Sequence, residues 1–207
     1  MKIGGIQPFS LSDYPGCVSA ILFTQGCNFR CPFCHNPSLV LPELFQSPIP
    51  QEEIMQFLHL RMDKLDGVVI TGGEPTIHSD LVVFIEQIKE MGYKVKLDTN
   101  GSNPQVVEEL LQRNLIDYCA LDIKAPWSKY SLLIGVSISV EPIQKTLKIL
   151  LESGIPCDFR ITNVKALLSE DDLKEVEAYL PKTHPLIVQK FVAENAMNPL
   201  LSDFSNL

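Results

Sequence analysis

Short, nearly continuous apolar runs recur along the chain, separated by segments whose apolar residues return with helical period. The runs cover residues 18–24, 67–71, 94–98, 118–122, 157–162 and 186–192. Apolar character without alternation marks strands covered on both faces, the habit of parallel sheets. Helices are predicted over 52–64, 80–91, 104–113, 141–153 and 171–180, the first with Ile54, Phe57, Leu58 and Met62 on one stripe. End chemistry agrees: Asn103 before Pro104 forms an N-cap and first helical position, Ser169 with Asp172 a capping box, and Gly92 and Gly154 follow helix ends. Six strand–helix units build either a doubly wound sheet or a barrel short of the usual eight units.

Neither an internal repeat nor a linker interrupts this alternation, so one domain is expected over 1–207, with its core at about 16–192 and a tail at 193–207 lacking any period. Two long loops, 37–50 and 125–139, stand out, and long loops in compact domains are often functional.

Charge narrows the function. With 17 Lys and Arg against 25 Asp and Glu, the net charge of −8 argues against nucleic acid as a partner. No apolar run reaches the roughly 18–20 residues that span a bilayer, and the start Met1-Lys2-Ile3-Gly4-Gly5 is unlike a signal peptide. A cytoplasmic protein without membrane contact is expected, its six cysteines reduced.

Three of those cysteines carry the strongest chemical signal. Residues 26–36 read Gly-Cys-Asn-Phe-Arg-Cys-Pro-Phe-Cys-His-Asn, so Cys27, Cys31 and Cys34 follow the first predicted strand on one loop. Three thiolates can hold three irons of a cubane and leave the fourth open, whereas zinc would take a fourth ligand such as His35. Gly72-Gly73-Glu74-Pro75 follows the second strand; glycines admit close backbone approach, and a carboxylate complements an ammonium group. Asp98-Thr99-Asn100-Gly101 and Asp122-Ile123-Lys124 end the third and fourth strands, which directs them to the same mouth.

The Cys27-x3-Cys31-x2-Cys34 spacing, with Phe33 before the third cysteine, resembles the signature of radical S-adenosylmethionine (SAM) enzymes. The stretch from Gly5 to Pro37 is similar to the glycyl-radical-enzyme activases, and within them to activating proteins of anaerobic ribonucleoside-triphosphate reductase; the likeness extends to about Thr162. The resemblance implies an α/β fold of the partial (β/α)6 barrel type and one [4Fe-4S] cluster on Cys27, Cys31 and Cys34. It implies SAM contacts from Phe33, His35, Gly72, Gly73, Glu74, Asp98, Asp122, Lys124 and Arg160, with no further catalytic acid–base pair. It also implies a monovalent cation on Asp98, Thr99 and Asp122, for which solvated strand-end charges are the alternative. Asp13 would stand near the substrate glycine, although Tyr14 replaces the glycine usual after it. At the sixth strand, where related activases place a histidine, Phe191 is either a stacking or a core aromatic.

The activity implied is reductive cleavage of SAM and formation of a glycyl radical on a partner enzyme, with reduced flavodoxin or ferredoxin as electron donor. Alternatives are a pyruvate formate-lyase-type activase and a small-molecule radical SAM enzyme such as carboxydeazaguanine synthase. Outside that class stands a non-catalytic metal-binding or electron-carrier protein, which has no need of Gly72-Gly73-Glu74.

Overall fold

In the computed structural model, which describes residues 1–204, seven strands form one sheet in chain order: β1 (Ile3–Ser10), β2 (Ser19–Thr24), β3 (Gly67–Gly72), β4 (Lys94–Thr99), β5 (Tyr118–Asp122), β6 (Cys157–Asn163) and β7 (Leu186–Lys190). From β2 to β7 all neighbours pair in parallel. The linear order leaves β1 and β7 at opposite edges, so the barrel is partial, as expected. The connections carry helices α1 (Pro37–Val40), α2 (Gln51–His59), α3 (Leu81–Glu90), α4 (Pro104–Gln112), α5 (Tyr130–Ile134), α6 (Glu141–Glu152) and α7 (Glu170–Glu177).

Four expectations need correction. The strand count is seven, because β1 joins β2 as an antiparallel edge. Its Gly4, Gly5 and Pro8 hide it from an apolar count, and an edge strand tolerates a proline whose missing N–H faces outward. The helix expected over 52–64 ends at His59, and Met62 lies 42% exposed beyond it, off the buried stripe of Ile54 and Leu58. Asn103 makes no capping bond; its Nδ2 donates to Thr76 Oγ1 at 3.0 Å. The tail, expected without periodic structure, forms 3-10 turns at Ala193–Asn195 and Pro199–Phe204, and residues 205–207 lie outside the described part. The capping box at Ser169 and Asp172 is present with both bonds.

The strand pleat divides the interior in two. Ala20, Leu22, Val68, Ile70, Val95 and Leu97 point outward to α2, α3 and α4 and join the main core. Each such Leu or Ile, fully buried, contributes about 1.5–3 kcal/mol. On the concave face, Ile21 and Val69 meet Tyr14 and Cys17 in a small apolar plug near the strand starts. Above that plug the concave face turns polar toward the strand ends.

Candidate active site

A cavity of about 190 Å³ opens at the C-terminal strand ends, bordered by Cys27, Cys31, Cys34, Gly72–Glu74, Asp98–Asn100, Asp122 and Lys124. The cysteine loop and the segments after the second, third and fourth predicted strands therefore reach one place, because parallel strands deliver their following residues to the same edge. Phe33 and His35 also line it, as do Thr162 and Gln189 from the ends of β6 and β7, which nothing in the sequence marked.

The thiols surround this space rather than closing on a point: among the described residues no three His, Cys, Asp or Glu groups gather around a single ion. The donor set fits a multi-iron cluster, whose corners lie apart, better than one zinc ion. Two sulfurs already accept backbone hydrogen bonds, Cys27 Sγ from Phe29 N–H and Cys34 Sγ from Asn36 N–H, both at 3.4 Å. Bonds of that kind tune a cluster held by the sulfurs. Burial pushes the Cys27 thiol up to about 12, with the Glu74 carboxylate adding to the effect. It pushes Cys31 up to about 11 against the opposing pull of Lys124.

Several braces hold the cysteine loop. Arg30 Nη1 donates to the carbonyls of Cys27 and Phe29, and Arg30 N–H donates to the Ile134 carbonyl, all at 2.7 Å. Asn28 accepts from Asn100 Nδ2 at 2.9 Å and donates to Ser102 Oγ at 2.8 Å. From the chain's far end, Met197 N–H donates to the Cys34 carbonyl at 2.9 Å and Asn198 N–H to the Pro32 carbonyl at 2.8 Å. His35 Nε2 accepts from Val192 N–H at 3.3 Å while its ring stacks on Phe191, and burial pulls its pKa down, favouring the neutral ring. Phe191 thus packs on a cavity residue.

Glu74 is fully buried. Its Oε1 accepts from Thr76 N–H at 3.0 Å, Thr76 Oγ1 at 2.5 Å and Thr99 Oγ1 at 2.7 Å, and its Oε2 accepts from Asn100 N–H at 2.6 Å. Burial raises its pKa and these four bonds oppose that rise. The preceding glycines make this approach possible. Gly72 adopts φ +111°, and a Cβ on Gly73 would collide with the Gly26 carbonyl, so the turn and the cysteine loop touch through backbone alone.

Asp98 and Asp122 also line the cavity, but neither carboxylate stands free. Arg160 bridges them, and Lys96 and Lys124 hold their other oxygens. Burial works against ionised Asp122, yet Lys124 and Arg160 keep its carboxyl well below the usual range. Burial likewise works against charged Lys124, and Asp122 and Cys31 raise its pKa overall. Arg160 lies beneath the cavity rather than in its wall.

Asp13 is not brought here. The β1–β2 pairing is antiparallel, with Ser10 opposite Ser19, so the turn carrying Asp13 lies at the start of β2, away from the cysteine loop. Its carboxylate accepts from Ser10 Oγ and Ser12 Oγ instead.

Comparison with known proteins decides the family. The model of the radical SAM superfamily matches residues 21–178. The chain belongs to the radical SAM superfamily. That family implies a [4Fe-4S] cluster and SAM, and the three thiols and the cavity suit both. A Methanocaldococcus jannaschii protein, named provisionally as a glycyl-radical enzyme activating enzyme, is 35% identical over 199 residues, covering 94% of this chain and 81% of its own. The pyruvate formate-lyase-activating enzyme of Clostridium pasteurianum is 31% identical over 127 residues, or 59% of this chain and 52% of that one. Among solved structures, Streptococcus suis SuiB bound to S-adenosylmethionine superposes with a TM-score of 0.65 at 20% identity, covering 90% of this chain and 48% of that one. The last likeness shows the radical SAM fold alone. Among the described residues no helix is long and apolar enough to cross a membrane.

Proposed function

We propose that this radical SAM protein is a cytoplasmic glycyl-radical-enzyme activase, and that its partner is an anaerobic ribonucleoside-triphosphate reductase. The observation that carries the activase reading is the match of 35% identity over 94% of the chain, with the three thiols and Glu74 around one cavity. The N-terminal stretch from Gly5 to Pro37 supports the choice of reductase over a formate lyase.

When bound, the cluster and SAM supply reductive cleavage of a carbon–sulfur bond and abstraction of a hydrogen atom. The chain's own residues do the rest. Cys27, Cys31 and Cys34 hold the cluster, and the Arg30, Asn28, Met197 and Asn198 bonds fix their loop. The Gly72–Gly73 backbone, held in place by the buried Glu74, faces the amino end of SAM, and Lys124 stands ready for its carboxylate. The open edge between β1 and β7 leaves the concave face accessible to a glycine-bearing loop, and reduced flavodoxin or ferredoxin supplies the electron.

The test mixes the reconstituted, reduced protein and SAM with candidate partners under anaerobic conditions and records electron paramagnetic resonance. A glycyl doublet on the reductase, absent from a formate lyase control, is expected. A doublet only on the formate lyase would redirect the partner. Conversion of a small molecule with no doublet on any protein would favour a small-molecule enzyme.

A further inference from the structure

Four carboxylate oxygens at the ends of β4 and β5 each meet a nitrogen of a side-chain cation. Asp98 Oδ1 accepts from Lys96 Nζ at 2.6 Å, and Asp98 Oδ2 from Arg160 Nη1 at 3.2 Å. Asp122 Oδ1 accepts from Arg160 Nε at 2.8 Å, and Asp122 Oδ2 from Lys124 Nζ at 3.1 Å. The planar guanidinium suits such bridging, since its donors diverge in a fixed fork. The third expected ion ligand is engaged as well: Thr99 donates its hydroxyl proton to Glu74 and accepts from Gly101 N–H at 3.0 Å.

Lys96 is the unexpected member. It is only 3% exposed, and its ammonium faces the Tyr118 ring at 5.8 Å, close enough for cation–π attraction. The Tyr118 hydroxyl is held in turn by Asp158 Oδ1 at 2.7 Å. A sodium or potassium ion entering here would add a fourth cation to two carboxylates that already carry three, so like-charge repulsion opposes it unless an ammonium or guanidinium group leaves its carboxylate. That departure would strand a buried cation, an unfavourable exchange. Three cations against two carboxylates leave one positive charge under the cavity, which suits an incoming carboxylate.

We propose that Lys96 is the resident cation of this site: with Arg160 and Lys124 it supplies the positive charge that a monovalent ion would bring to Asp98 and Asp122, so SAM binds without sodium or potassium. The proposal rests on reading the cavity as the SAM site. Lys96 acts as a positioning residue, fixing Asp98.

The test is equilibrium dialysis of labelled SAM against the reconstituted protein in potassium, sodium and choline buffers of equal ionic strength, together with thallium anomalous scattering from crystals. Wild-type dissociation constants are expected to agree within about twofold, with no thallium peak between Asp98 and Asp122. Lys96→Met is expected to lose about tenfold in choline and to recover in potassium, a rescue that a merely structural role would not produce. A wild-type loss of about tenfold in choline, or a thallium peak at the two aspartates, would overturn the proposal. So would Lys96→Met binding like wild type in choline. If that variant does not fold, the two wild-type measurements decide alone. Absence of SAM binding in every buffer would overturn the SAM reading itself, an outcome distinct from cation-dependent binding.

Discussion

The backbone N–H of Asn100 donates to Glu74 Oε2 at 2.6 Å, joining the turn after β3 to the end of β4 through a carboxylate with no exposure to solvent. With Thr76 and Thr99 on the other oxygen, Glu74 serves four protein donors at once. Glu74→Gln replaces one acceptor oxygen by a donor and leaves at least one buried partner unmatched. An unfolding loss of about 1–3 kcal/mol is expected, measured by urea titration of the cluster-free protein. SAM affinity of the reconstituted variant should fall with it, by about tenfold or more.

Gly73→Ala brings a methyl group onto the Gly26 carbonyl. Relieving that contact must move either the turn or the cysteine loop, at a cost of about 1–3 kcal/mol. Iron and sulfide bound per chain after reconstitution should therefore drop. Gly5→Ala, where an added Cβ meets only the Phe23 side chain at ordinary contact distance, should keep its iron.

Two N–H groups from the C-terminal segment reach the cysteine loop, Met197 to Cys34 and Asn198 to Pro32. Proline at either position removes the donor. Asn198→Pro and Met197→Pro should bleach severalfold faster than wild type when the reconstituted protein is treated with an iron chelator. Far-UV circular dichroism should stay largely unchanged, since the strands and α-helices lie outside this segment.

The Lys129 ammonium beside Asp172, with the Ser169 N–H, holds that carboxyl down to about 2, from an ordinary value of 3.8. A depressed carboxylate adds stability that is fully present above its unfolded pKa and disappears as pH falls through the folded one. The stability difference between wild type and Asp172→Asn should thus be constant above about pH 5 and shrink between pH 4 and 2. Thermal unfolding across that range measures it.

Much of this architecture was legible because continuous apolar runs such as Val68–Ile70 and Ala120–Leu121 have no other home than a covered parallel strand. Once the strands run parallel, Cys27, Glu74, Asp98 and Asp122 must share one edge. What escaped lacks a local signal. β1 is a half-exposed edge with two glycines, and α1 and α5 are too short to show a period. Lys94 and Lys96 alternate identically along β4, yet Lys94 is exposed while Lys96 is buried, because only the latter faces Tyr118 and Asp98. Burial of that kind depends on strands distant in sequence. Asn100 and Thr76 sit within two residues of marked positions, and their roles as Glu74 donors needed the fold to emerge. Asp13 failed for a topological reason, since an antiparallel hairpin sends its turn to the opposite end.

Placement of a SAM-cleaving cluster on Cys27, Cys31 and Cys34 is tested most directly by quantifying 5′-deoxyadenosine. Wild type and Cys31→Ala would be reconstituted anaerobically with iron and sulfide, then reduced with dithionite in the presence of SAM. Release of 5′-deoxyadenosine and methionine by wild type, absent from Cys31→Ala, is the expected result. A wild type that takes up zinc instead, or holds a cluster but leaves SAM intact, would contradict it.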